Sequence, residues 1–151
     1  MAKKEVAAAA RLPHVRVQLI RESGPRYSSP LRTSAEVYQA VKDELDTLDR
    51  ERFLVLALDG KNRVVGLEPV STGTLTASLV HPREVFTALI LAKAAAFIVA
   101  HNHPSGDPTP SAEDIAITRR LREVGELLGI RLLDHVVLGD GRYCSFSDEG
   151  L

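Results

Sequence analysis

Arg52-Phe-Leu-Val-Leu-Ala-Leu-Asp59, RFLVLALD, is apolar on both parities from Phe53 to Leu58. A strand with one wet face alternates apolar and polar residues, so an uninterrupted apolar run is the mark of a strand covered on both faces. "DGKN", Asp59 to Asn62, then turns the chain into "RVVGLEPVS", which predicts a central hairpin. Upstream, Thr33 opens "TSAEVYQAVKDELDTLDR". Glu36 stands three residues later as the partner of a capping box, and Val37, Ala40, Val41, Leu45 and Leu48 recur at helical spacing. Downstream, "LTASLV" (75–80) is a third strand candidate. Pro82 suits the first position of a helix, "PREVFTALILAKAAA", that is apolar nearly all round and therefore buried. "AFIVAH", Ala96 to His101, reads as a strand, and Ile117, Leu121, Val124 and Leu128 mark the stripe of a later helix with Gly129 as its C-terminal cap. "IRLLDHVVLGDGRYCSF" closes as a hairpin around Gly139 to Gly141. Helices alternating with strands of both pairings predict an α/β sandwich with a mixed sheet, and no internal repeat is visible.

Composition narrows the class. The chain has 151 residues, 44% of them hydrophobic and 26% charged, enough for one domain with its own core. Residues 1–28 are expected to form a tail. It begins with an Ala-rich run to about Arg11 and includes "HVRVQLIRE", whose Val15, Val17 and Leu19 alternate as in a candidate edge strand. The domain is expected over residues 29–151. A net charge of −1 and a pI near 6.5 provide no global basic field, so binding of nucleic acid would rest on a local patch. The single cysteine, Cys144, excludes an internal disulfide framework and a Cys-rich zinc site, which points to a reducing compartment, the cytoplasm by default. The most apolar run, Leu89 to Ala100, contains Lys93 and is about a dozen residues long, where a membrane span needs roughly 20. The start "MAKKEVAAAARLPH" is too weakly apolar for a secretory signal. A soluble protein with no membrane partner is expected.

The chemistry concentrates in "AHNHPSGDPTPSAED", Ala100 to Asp114. At an extended strand end, residues two apart point the same way, so His101 and His103 converge while Asn102 faces the other side. In a helix, residues three apart are neighbours, which brings Ser111 and Asp114 together. Pro104 to Pro110 form a stiff loop able to swing that helix start over the strand end. Two imidazoles and a carboxylate are three ligands, and for Zn2+ that leaves the fourth position open to water or substrate, the pattern of a catalytic site. Ser-x-x-Asp is also close to a capping box, and a strand-end histidine is often a polar rim residue. Against the cap stands Thr109-Pro110, which already supplies an N-cap and a first helical residue, placing Asp114 in the second turn.

"HNHPSGDPTPSAED" fits the JAMM (MPN+) metalloprotease pattern, His-x-His, seven residues, Ser-x-x-Asp. Together with "LLDHVVLG" and "YCSFSDEG" it resembles the bacterial RadC-like proteins over Ser29 to Gly150. The resemblance implies an MPN/JAMM-like single-domain mixed β-sheet flanked by helices, in cytidine-deaminase-like layering. It further implies His101, His103 and Asp114 as zinc ligands, Ser111 as an oxyanion stabiliser, and peptide or isopeptide bonds of a peptide or protein substrate as the target. It also implies a general-base glutamate near the start of the strand after the first helix, a position matching Glu51. Glu68 and Glu84 are its rivals, although Glu84 is equally a first-turn acid favoured by the helix dipole and Glu51, between Arg50 and Arg52, equally a surface ion-pair partner. His135 reads either as a second layer behind the ligands or, more simply, as a strand histidine with a backbone partner. His14 and His81 read as structural, and Cys144 as a core residue.

Two other classes compete with a hydrolase. RadC-like proteins carry a traditional DNA-repair label, and Arg119, Arg120 and Arg122 form a local basic cluster, diluted by Glu123 and Glu126 and equally a solvated helix face. Longer RadC-like proteins have an N-terminal helix-hairpin-helix region that these residues lack, which weakens the DNA reading. The other competitor is a metal-loaded scaffold without turnover. A two-metal nuclease wants more carboxylates, and a nucleobase deaminase wants Pro-Cys-x-x-Cys, which is missing here. Exposed strand edges in a small mixed sheet suggest a homodimer.

Overall fold

A computed structural model describes residues 2, 9, 11–26, 28–73 and 80–151. In chain order the elements are α1 (Ser34–Leu45), β1 (Arg52–Leu58), β2 (Val64–Thr72), α2 (Pro82–Leu91), β3 (Ala96–Asn102), α3 (Ala112–Leu128), β4 (Arg131–Gly139), β5 (Arg142–Ser145) and α4 (Phe146–Glu149). The strands form one sheet in the order β2-β1-β3-β4-β5. Among the described residues only β3 and β4 run parallel, with α3 as their crossover, and the other neighbours are antiparallel. The expected mixed α/β sheet flanked by helices is therefore the observed one.

The two parities of the opening run separate onto two cores. Phe53, Val55 and Ala57 pack with Val85, Phe86 and Leu89 of α2 and Ile117 and Leu121 of α3. Leu54, Leu56 and Leu58 pack on the opposite face with Val37, Val41 and Leu45 of α1. Burying Ile117 and Leu121 stabilises the docked α3 by roughly 3–6 kcal/mol, which matters because helices in proteins owe most of their stability to packing of the apolar face. The α1 capping box forms as its sequence demands, with Thr33 Oγ1 accepting from the Glu36 amide and Glu36 accepting from the Thr33 amide. His81 caps α2 by accepting from the Arg83 amide at 3.0 Å, so it is structural as expected.

Two expectations are corrected here. The helix anticipated through Ala96 stops at Leu91, because Lys93 turns left-handed (φ 53°) and Ala95 already donates to Leu58 O at 2.8 Å. The edge strand anticipated in the tail is not formed: Val15, Val17 and Leu19 are 85%, 68% and 48% exposed and belong to no strand. Alternation decides only which side chains share a face. A strand also needs a neighbour for its backbone groups, and the backbone hydrogen bonds to the sheet are made further along, where Ser28 N donates to Val64 O and Leu31 N to Asn62 O. "LTASLV", except Val80, and most of the Ala-rich start lie outside the described residues. Among the described residues no helix is long and apolar enough to cross a membrane.

Candidate metal centre

β3 is buried along its whole length and delivers His101 to its C-terminal end, on the face shared with α3. The chain leaves the sheet at His103, whose amide donates to Leu138 O at 2.7 Å, and returns along the Pro104–Pro110 loop to the start of α3. Gly106, at φ 85°, turns this loop against the end of β4. The outcome is the convergence expected from the spacing: His101, His103 and Asp114 each present a ligand atom, all within 4.8 Å of one another. His101 Nε2 lies 3.0 Å from His103 Nε2 and 3.1 Å from Asp114 Oδ1, while His103 Nε2 lies 3.2 Å from Asp114 Oδ2.

The N-terminus of α3 departs from expectation. Ser111, not Thr109, is the N-cap, and Asp114 is its capping-box partner: Ser111 Oγ accepts from Asp114 N at 3.1 Å and Ser111 N donates to Asp114 Oδ2 at 2.7 Å. Thr109 is held instead by Asp107 Oδ1, which accepts from both its amide and its hydroxyl and keeps the chain in a turn before Pro110. Capping and cluster membership are thus one arrangement: the cap fixes the Asp114 rotamer, and the fixed carboxylate faces both imidazoles. The cap occupies a lone pair of Ser111 Oγ and leaves the hydroxyl proton able to donate.

The electrostatics follow from that geometry. Burial by itself pushes the Asp114 carboxyl up, yet its hydrogen bonds to His101 and His103 outweigh burial and hold it far below the usual carboxylate range. The Asp114 hydrogen bond raises the His103 pKa against burial, with Asp107 and the charge of Glu51 adding to the rise. His103 Nδ1 sits 2.7 Å from Asp107 O. A carbonyl can only accept, so Nδ1 carries the proton and the neutral ring turns an Nε2 lone pair toward Asp114. A carboxylate and imidazole lone pairs gathered at this spacing suit a cation with N and O preference, which is how these residues fit a metal.

Behind His101 lies a layer that sequence reasoning only half saw. His135, fully buried on β4, places Nε2 2.7 Å from His101 Nδ1 and Nδ1 2.6 Å from Thr118 Oγ1 on α3. The simpler backbone-partner reading of His135 is corrected: its ring faces the His101 ring and the Thr118 hydroxyl. Burial and the neighbouring His101 lower its pKa well below the ordinary histidine value. Thr118 was not anticipated. Its signal was present as Asp114-x-x-x-Thr118, one helical turn apart, but only the β3–β4 pairing brings His135 to it.

Asn102 faces away from the cluster, as expected, and serves as a clamp. Its Oδ1 accepts from Arg52 N at 2.8 Å and its Nδ2 donates to Arg50 O at 2.9 Å. Because Phe53 pairs with His101, this clamp carries Glu51 to the level of His103, and Gly73 N holds the Glu51 carbonyl at 2.8 Å. The rivals sit elsewhere: Glu68 is exposed on β2 opposite Val55, and Glu84 is exposed in the first turn of α2. Cys144 is half-buried on β5, not fully in the core, with its thiol pKa raised by burial. A cleft of about 560 Å³ lies on the α1 side of the sheet, where Asp46, Leu48, Asn102 and Leu138 meet the His103–Asp107 loop and Arg142, so of the clustered residues only His103 borders it.

Comparison with known proteins gives a consistent answer. A family model described as RadC-like JAB domain matches residues 31–151. A UPF0758 protein of Pelobacter propionicus is 54% identical over 130 residues, 86% of this chain and 55% of the relative. One from Geobacter sulfurreducens is 46% identical over 149 residues, 99% of this chain and 62% of the relative. Another from Moorella thermoacetica is 53% identical over 121 residues, 80% of this chain and 53% of the relative. The chain thus spans little more than half the length of these relatives.

Proposed function

The chain belongs to the RadC-like JAB domain family, and from that membership we propose that it is a zinc-dependent hydrolase of peptide or isopeptide bonds. The observation that carries the reading is the convergence of His101, His103 and Asp114 within 4.8 Å. Zinc held by these three residues would supply Lewis acidity, lowering the pKa of water toward neutrality and polarising an amide carbonyl. Glu51, carried to the level of His103 by the Asn102 clamp, is the general base that takes the proton of the attacking water and passes it to the leaving amine. Ser111 donates its free hydroxyl proton to the oxyanion of the tetrahedral species, a contribution of roughly 3 kcal/mol where such donors have been removed elsewhere.

Metal analysis of protein purified without added metal, run beside turnover on a panel of peptides and isopeptides, tests the reading. Zinc near one equivalent is expected. Glu51→Gln keeps the size of the side chain and removes its basicity, so it should retain zinc while turnover falls at least about 100-fold. Unchanged turnover would reject this base, and loss in Glu68→Gln or Glu84→Gln instead would name its replacement. Zinc without turnover of any substrate by the wild type would leave a metal-bearing scaffold.

A further inference from the structure

We propose that Thr118 and His135 are positioning residues that hold His101 in the tautomer able to bind metal, a proposal that rests on the zinc reading above. Four groups stand in a row: Asp114 O, Thr118 Oγ1, the His135 ring and the His101 ring, at successive separations of 2.7, 2.6 and 2.7 Å. Each link can hold at most one proton, so the row has two arrangements, the first of which leaves the link to Asp114 O empty. In one, the Thr118 hydroxyl donates to His135 Nδ1, His135 Nε2–H donates to His101 Nδ1, and His101 Nε2 carries a proton aimed at Asp114. That arrangement cannot ligate a cation through Nε2. In the other, Thr118 donates to Asp114 O, His135 Nδ1–H donates to Thr118 Oγ1, and His101 Nδ1–H donates to His135 Nε2. His101 then turns a bare Nε2 toward His103 and Asp114.

The carbonyl end of the row makes the second arrangement available. A hydroxyl has a single proton, and because the Asp114 carbonyl takes it, Thr118 Oγ1 is left as an acceptor for His135. The same residue, Asp114, therefore offers its carboxylate to the cation and its carbonyl to the row that prepares His101. His103 reaches the same end by a shorter route, through Asp107 O. The row is sealed from competing water: His101 and His135 are 0% exposed and Thr118 is 2% exposed. Phe53 stacks near His101 and Phe146 lies parallel to His135 at 4.7 Å between ring centroids, so neither ring can swing to another partner.

The test uses nitrogen NMR of the histidine side chains and Zn2+ titration on the intact chain. In zinc-loaded wild type, His101 should show Nε2 bound to metal and Nδ1 protonated, with a nitrogen–nitrogen coupling across the hydrogen bond to an unprotonated His135 Nε2. A protonated His135 Nε2 would overturn the proposal without touching the zinc reading. Thr118→Val keeps the shape and removes the hydroxyl, so zinc affinity should fall roughly 10- to 100-fold, the usual effect of losing a partner behind a ligand, and Thr118→Ser should restore it. Zinc affinity in Thr118→Val within twofold of a wild type that binds zinc would sink the row alone. A wild type that does not bind zinc would sink both. The NMR measurement needs no variant, so it decides even if Thr118→Val folds poorly.

Discussion

Replacing Gly139 by alanine should loosen the metal centre from outside it. Gly139 ends β4 directly under the His103 loop, and a Cβ built there would lie 2.7 Å from Gly106 O, 2.8 Å from Gly106 C and 3.0 Å from Pro108 N. All three are backbone atoms, so no side chain can rotate out of the way. Bringing the contact to an ordinary separation of about 3.5 Å requires the loop to withdraw by roughly 0.8 Å. That displacement falls on Asp107, whose carbonyl orients His103, and on the turn that leads into the Ser111 cap. Overpacking of this kind costs roughly 1–3 kcal/mol, which for a domain of this length lowers the melting temperature by roughly 2–12 °C. Misplacing a ligand by nearly an ångström should also weaken zinc binding by about tenfold or more. Gly60→Ala is the control, because its Cβ would meet nothing within 4 Å. Differential scanning calorimetry and competitive zinc titration on both variants give the answer. If Gly139→Ala melted and bound zinc like Gly60→Ala, the packing of the loop on β4 would not be what holds His103.

Further outcomes follow from the same geometry. His101→Ala and Asp114→Ala should each lose zinc under mild chelation, and full retention in either, by metal analysis, would dismiss the three-ligand site. Asn102→Ala should strip the clamp from Arg50 O and Arg52 N, cost roughly 1–3 kcal/mol for the partners left unmade, and lower kcat with zinc still bound, as seen in paired melting and kinetic measurements. The raised His103 pKa favours the charged ring. In the metal-free protein its stabilising contribution is complete below about pH 6.5 and is lost as pH rises through the raised value, whereas zinc affinity should weaken as pH falls through it. Melting curves and zinc titrations between pH 5 and 8 would show both slopes. Replacing the exposed Arg119, Arg120 and Arg122 by Gln should leave affinity for duplex DNA essentially unchanged, since acidic Glu123 and Glu126 share their helix. A salt-dependent affinity abolished by that triple change would promote the DNA-binding reading.

Much of this protein is decided by short-range rules that a sequence displays. The double-parity run Phe53–Leu58 specified a strand buried on both faces, Thr33 with Glu36 specified a helix start, and Gly129 specified a helix end, because periodicity and capping involve only neighbours along the chain. The same holds in part for the candidate ligands: period two at a strand end aims His101 and His103 the same way and period three pairs Ser111 with Asp114, while the loop packed on the end of β4 brings the two together. Tertiary structure decided what depends on partners remote in sequence. The alternating tail found no strand to pair with, although its pattern was sound. Thr109-Pro110 lost the cap to Ser111 once Asp107 had turned the loop. Glu51 was brought level with His103 by the β1–β3 register and the Asn102 clamp, and His135 met His101 and Thr118 through the parallel pairing of β3 with β4 across α3. A local pattern fixes where a side chain points, whereas the group it meets 34 residues away is set by how the sheet assembles.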